Sequence, residues 1–174
     1  EQLRQKGEIS IAVMPFQNLT SDTLKNFWQA LVQENLINTL TNSEELKVRQ
    51  TESIYALLQN TDLKNYASLT PALASKISKK LDAGVFIHGS ISQVGKIIRL
   101  NAKLLDSETE EVFKSFQVDG IQDNILELSD SLTRMINNYL IISVLEKELS
   151  HEMRHYLSST RSAEAIKYFL EGNI

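Results

Sequence analysis

VFIHGSISQV (Val85–Val94), IIRLNAKLLD (Ile97–Asp106) and VFKSFQV (Val112–Val118) decide the fold. Gly95-Lys96 separates the first two segments and suits a tight hairpin turn. In the middle segment Ile98, Leu100, Ala102 and Leu104 alternate with Arg99, Asn101 and Lys103. That period of two is the signature of a strand with one buried and one wet face. Ser107 to Glu110 makes the next turn. In the third segment Val112, Lys114, Phe116 and Val118 share one side, and Phe113 and Ser115 the other. Three strands joined by two short turns predict an antiparallel meander.

Working outward toward the amino terminus, ISIAVM (Ile9–Met14) is a short apolar run rich in β-branched residues, broken only by Ser10, and it stops at Pro15. It reads as a strand covered on both faces. Phe16 to Asp22 reads as a polar loop, with Ser21 or Asp22 capping a helix from about Thr23 to Leu40. Phe27, Leu31, Asn35 or Leu36, and Leu40 recur at helical spacing, with Leu24, Trp28 and Ile37 widening the stripe; Lys25, Gln29, Gln33 and Asn38 form the wet face. LKVR (Leu46–Arg49) is a short strand. Thr51 opens a short helix with Ile54, Leu57 and Leu58 inward. A polar connection through Asn65 follows. Thr70 then caps a helix with Pro71 in its first turn and Leu73, Ile77 and Leu81 inward.

Toward the carboxyl terminus, Asp119-Gly120 closes the meander and a long helix covers Ile121 to about Leu149. Its apolar stripe is Ile125, Leu128, Leu132, Met135, Ile136, Tyr139 and Leu140. Leu157 to Thr160 reads as a break, and Ser162 to Gly172 as the start of another helix. The fold class is therefore α/β, of an α+β-like kind: a mixed sheet of about five strands with helices packed on it. The expected organisation is a lead-in over residues 1–8, one domain over 9–150, a linker over 151–161 and the start of a helical repeat over 162–174. Both ends read as boundaries of a fragment.

Composition narrows the function. Of 174 residues 42% are hydrophobic, enough for a packed core. The net charge of -4 and the scattered Lys and Arg disfavour binding along a nucleic-acid backbone, which needs clustered positive charge. Lys76, Lys79 and Lys80, the densest basic group, fit the wet face of a helix. The chain has no cysteine, which excludes disulfides, thiolate metal sites and cysteine nucleophiles. No apolar run approaches the ~20 residues of a membrane span, and no signal peptide is visible.

His151-Glu152-Met153-Arg154-His155 matches H-E-x-x-H. On a helix its two histidines share a face and suit zinc, with Glu152 as base. The charged neighbours Glu148 and Arg154 favour a solvated helix end instead, and a third ligand would have to come from Glu164 or Glu171. No metal site is therefore assigned to these residues. His88 lies in mid-strand and reads as a hydrogen-bonded structural histidine, while Gly89-Ser90 lacks the strand-to-helix elbow of a nucleophile. Asp106, Glu108, Glu110 and Glu111 lack the spacing of a calcium loop and read as a charged hairpin tip. The stripe of Phe27, Trp28 and Leu31 reads as core. Neither catalytic residues nor a cofactor is assigned; the reading is of a non-enzymatic chain.

Several stretches together resemble a TolB-like amino-terminal domain. IAVMPFQNLT (Ile11–Thr20) is similar to its opening I-A-V-L-P-F-x-N-x-S pattern. Ala83 to Ile91 is similar to its glycine-flanked strand, and Arg99 to Glu111 to its R-V-x-x-x-L-x-D-x-x-T-G-E hairpin, with Glu110 where the family has glycine. Leu36, Ile37, Leu40, Leu46, Val48 and Arg49 resemble the intervening segment. Ser162 to Gly172 resembles the helix that leads into tetratricopeptide repeats. The resemblance spans Ile9 to Gly172. It implies a protein-interaction or sensory module of a larger bacterial signalling or envelope protein, with an output domain and a membrane span upstream. Partners would be proteins, including tetratricopeptide repeats of the same chain, and the location the periplasmic side of a membrane, or alternatively the cytoplasm. It brings no catalytic residues to transfer. Two alternatives stand beside it: a small-molecule or nucleotide-binding regulatory domain using the loop Gln17 to Ser21, and a zinc hydrolase using His151, Glu152 and His155.

Overall fold

A computed structural model describes residues 8–61 and 68–160, with the side chains of 147–160 left aside. Most of the lead-in, part of the polar connection before Thr70, and the segment read as the start of a repeat helix lie outside the described residues.

β1 (Ile9–Val13) runs parallel to two strands, β3 (Leu46–Val48) and β4 (Val85–Val94). Ile11 and Val13 enter one core, and Ala12 and Met14 a second core on the opposite face. The strand is covered on both sides, as its apolar run predicts. Pro15 lacks an N–H, so pairing lapses there. It resumes at a two-residue strand, β2 (Gln17–Asn18), parallel to Ser90 and Ile91 of β4. This sixth strand lies in the stretch read as a polar loop. β5 (Ile97–Asp106) and β6 (Val112–Ile121) complete the order β3-β1-β4-β5-β6.

The meander matches its sequence reading closely. The Gly95-Lys96 turn joins β4 to β5 antiparallel, with Gly95 at φ 60°. Ile98, Leu100, Ala102 and Leu104 are all buried. One detail differs. Leu104 pairs with Lys114 but Leu105 with Val112, so Phe113 is the extra residue of a β-bulge. The bulge moves Val112 off the face shared by Lys114, Phe116 and Val118. β6 also runs on to Ile121, because Gly120 lets Leu128 pack against its backbone.

Glu110 closes the second turn at φ 60°, in the left-handed region. Asp106 Oδ1 accepts from the Glu108 and Thr109 N–H groups, so this carboxylate serves its own turn. Glu110→Gly should relieve the left-handed strain and raise unfolding free energy by about 0.5–1 kcal/mol, read from urea denaturation.

Four helices pack on the sheet among the described residues. Asp22 caps a 3₁₀ turn at Thr23–Asn26, accepting from the Leu24 N–H at 2.9 Å, and α1 (Phe27–Thr41) follows. Its buried positions are Trp28, Val32, Leu36, Ile37 and Leu40, together with Gln29 and Gln33; Lys25 in the preceding turn is buried too. Phe27 is 63% exposed. The buried stripe is thus turned relative to the expected one. The cause is polar: Gln33 Nε2 donates to the Val13 carbonyl at 2.9 Å, and Lys25 Nζ donates to Gln93 Oε1 at 2.6 Å. The Ile11 carbonyl takes the Arg49 N–H, and the β1–β3 pairing stops there, so Val13 next along that edge needs another donor.

α2 (Thr51–Gln59) buries Ile54 and Leu58. α3 (Pro71–Lys80) starts as expected, with the Thr70 hydroxyl accepting from the Leu73 N–H at 3.2 Å. Lys76, Lys79 and Lys80 are exposed on it. A second 3₁₀ turn at Gln122–Asn124 precedes α4 (Ile125–Thr160). Leu128, Leu132, Ile136, Leu140 and Val144 are buried along it, whereas Met135 is exposed. The helix runs without interruption through residues 151–160, where the sequence reading placed a break at Leu157 to Thr160. No glycine or proline stands between Gln122 and Thr160 to stop it.

α1 and α4 cover one whole face of the sheet. Asn35 Nδ2 ties them together, donating to Ser129 Oγ and Asp130 Oδ1, both at 2.8 Å. α2 and α3 cover only part of the other face: their core takes Ala12, Met14 and Phe86 from the sheet, Leu105 from β5, and nothing from β6.

Candidate functional site

The half-covered face leaves a cleft of about 370 Å³ where α3 gives way to open sheet. Gln17 and Pro71 bound it on the helix side. His88 and Ser90 of β4 and Asn101 and Lys103 of β5 form its floor, and Glu110 stands at the hairpin end. Alternation puts these floor residues on the face opposite the main core, so their polarity is the wet half of the meander pattern.

His88 is half-buried. Its Nε2 lies 2.7 Å from the Leu69 carbonyl, an arrangement that requires a proton on Nε2. Gln17 Nε2 donates to the same carbonyl at 3.0 Å. Burial holds the His88 pKa below its ordinary 6.5, the Leu69 carbonyl opposes that shift, and the nearby Lys103 charge adds to it. The imidazole is therefore neutral at neutral pH, with Nδ1 as an acceptor. This agrees with a hydrogen-bonded structural histidine. As pH falls through 6.5 the unfolded chain takes up the proton first, so stability is lost from there down to the folded pKa. His88→Gln should flatten that decline below about pH 6.5, measured by urea titrations at each pH.

A second feature lies on α4. Beside the buried stripe, Met135, Ile142 and Leu145 are exposed, the last two at 54% each. Steps of seven and three place them on one face, outside the domain's own packing.

The other sequence candidates separate. His151, Glu152 and His155 stand on the helical backbone of α4, and their side chains lie outside the described residues. Gly89 faces the main core and Ser90 the cleft, in mid-strand as the alternation requires. Of Phe27, Trp28 and Leu31, only Trp28 is fully core. Of the loop Gln17 to Ser21, Gln17 alone lines the cleft. Asn101 and Lys103 were legible only as wet strand positions; their shared face with His88 was the available signal.

Comparison with known structures bears on the fold. The carboxyl-terminal domain of LpoB from Salmonella enterica aligns over 66% of this chain and 83% of its own, at 22% identity and TM-score 0.53. The chain has an LpoB-like fold. Lipoprotein GNA1162 from Neisseria meningitidis shares the LpoB-like architecture over 75% of this chain and 99% of its own, with 15% identity and TM-score 0.53. TolB from Acinetobacter baumannii is also similar, over 79% of this chain and 28% of its own, at 13% identity and TM-score 0.48. Among curated proteins, "Putative adenylate cyclase 3" of Rhizobium meliloti (strain 1021) is 27% identical over 139 residues, 80% of this chain. The chain spans only 22% of that protein's length. No family model matches.

Proposed function

We propose that this chain is a non-catalytic protein-contact module of a larger bacterial signalling or envelope protein, docking helices of tetratricopeptide type in the same chain. The exposed stripe of Met135, Ile142 and Leu145 carries this reading, since it repeats helical packing geometry on a face that the domain's own core does not use. The same spacing continues in sequence to Leu149. The LpoB-like fold and the small share of the curated relative that the chain matches support a module within a longer protein. A position on the periplasmic side of a membrane-anchored protein fits the lipoproteins of this fold, with the cytoplasm as the alternative.

Hydrogen exchange on the longer protein tests it. Amides from 135 to 146 should exchange more slowly there than in this chain alone, and Ile142→Asp with Leu145→Asp should remove the difference. Both substitutions are at exposed positions, so the domain's own stability should change by only about 0.5 kcal/mol each. Equal exchange in the two proteins would refute the docking.

The cleft favours a second reading, a regulatory site for a small polar molecule, because His88, Ser90, Asn101 and Lys103 converge on one concave surface. Thermal-shift screening distinguishes it: one ligand class should raise the melting temperature, and Lys103→Ala should abolish the rise. A zinc hydrolase would instead require stoichiometric zinc in the purified protein, lost in His155→Ala.

A further inference from the structure

The floor of the cleft is a square of four polar side chains. The β4–β5 register sets His88 opposite Lys103 and Ser90 opposite Asn101. On one face of an antiparallel ladder, opposite residues stand about 5 Å apart and successive ones along a strand about 7 Å. All four therefore lie within the span of one small ligand. Among the described residues, Ser90, Asn101 and Lys103 make no side-chain hydrogen bond or ion pair; the two salt bridges there are Lys25–Asp22 and Arg99–Asp119. They offer a hydroxyl, an amide and an ammonium group, each able to donate. We propose that this square binds an oxyanion, the carboxylate or phosphate group of a small molecule. The proposal rests on the reading of the cleft as a regulatory site and assigns its ligand a charge.

Lys103 decides the sign. It is the one lysine or arginine that lines the cleft, and Glu110 the one acid. Glu110 stands in the turn beyond Leu105, on the other side of Lys103 from Asn101, and makes no ion pair with it. On β6 the residue opposite Lys103 is the uncharged Ser115. Asp119 lies farther along that strand and is held by Arg99 at 2.9 and 3.0 Å. Gln17 and Pro71 on the helix side carry no charge. An anion is thus the partner that this ammonium group lacks. Its arrival would also act on His88. Nε2 keeps its proton on the Leu69 carbonyl, so Nδ1 is the atom that titrates. Burial holds the ring neutral and the Lys103 charge adds to that effect. An oxyanion beside Lys103 offsets the second cause. Anion binding therefore favours protonation of His88, and by reciprocity falling pH favours the anion.

Nuclear magnetic resonance titration of this chain tests the site, with acetate, inorganic phosphate or sulfate replacing chloride at constant ionic strength. The amides of Ser90, Asn101 and Lys103 should shift saturably, and the tighter of acetate and phosphate tells carboxylate from phosphate. Lys103→Gln should weaken binding about fivefold and Glu110→Gln should tighten it about twofold, opposite signs that an anionic ligand requires. Sulfate, which does not titrate in this range, should bind about threefold more tightly near pH 5.5 than near pH 7.5. It should also raise the His88 pKa in the unmodified chain, a readout that needs no variant. If glycerol moves these amides and the anions do not, the cleft remains a ligand site and the oxyanion assignment alone falls. If neither moves them, both fall. Anion binding that Lys103→Gln leaves unchanged would likewise overturn the assignment.

Discussion

Gly89→Ala is expected to lower the unfolding free energy by about 3 kcal/mol, seen as a reduced urea midpoint at unchanged slope. A Cβ at this position would sit 2.6 Å from the Asn101 carbonyl oxygen of β5 and against the ring of Phe16. The carbonyl belongs to the neighbouring strand and cannot retreat without breaking the ladder. Phe16 is completely buried and is among the largest side chains in the core. Phe16→Leu should therefore recover part of the loss when combined with Gly89→Ala, because the leucine yields space that the ring does not. The Asn101 contact would persist, so recovery should stay below half. A Gly89→Ala variant as stable as the parent would refute this close approach of β4 and β5.

Gln33→Leu is expected to cost about 2 kcal/mol, although it puts an apolar residue into a fully buried position. Gln33 Nε2 donates to the Val13 carbonyl, and its Oε1 accepts from the Tyr55 hydroxyl at 2.8 Å. One side chain thus joins α1, the end of β1 and α2. Leucine would match the volume and leave the carbonyl in a dry interior without that donor. Gln33→Glu should be worse, since it retains the acceptor, removes the donor and adds charge. Thermal denaturation of both variants beside the parent gives the ranking.

These two residues also show what sequence reading resolves. Gln33 was placed on the wet face because helical periodicity sorts residues by polarity alone, and a glutamine that serves a strand end looks the same as one facing solvent. The burial of Lys25 was hidden in the same way, its partner Gln93 lying far along the chain. The meander was legible because its alternation and its turns are local: Ile98 to Leu104 needs no distant partner to be read. β2 was too short to show a period. The end of α4 was misplaced because its polar tail resembles a connection, whereas only a glycine, a proline or a competing contact ends a helix. Of the cleft only Gln17 was foreseen, since Pro71, His88 and Lys103 join it only after the sheet is assembled. The Thr70-Pro71 start of α3 and the structural role of His88 were both readable from immediate neighbours.

The parallel placement of β1 has a consequence for synthesis. Ile11 is made roughly forty residues before its β3 partner Val48 and roughly seventy before its β4 partner Val85. At about 5–20 residues per second, the β4-facing edge of the run Ile11 to Met14 stays unpaired for several seconds. During that interval it offers a sticky segment to any chaperone or neighbouring nascent chain. The carboxyl-terminal meander closes on itself as soon as it emerges, so β1 should complete its pairing only once the meander has formed.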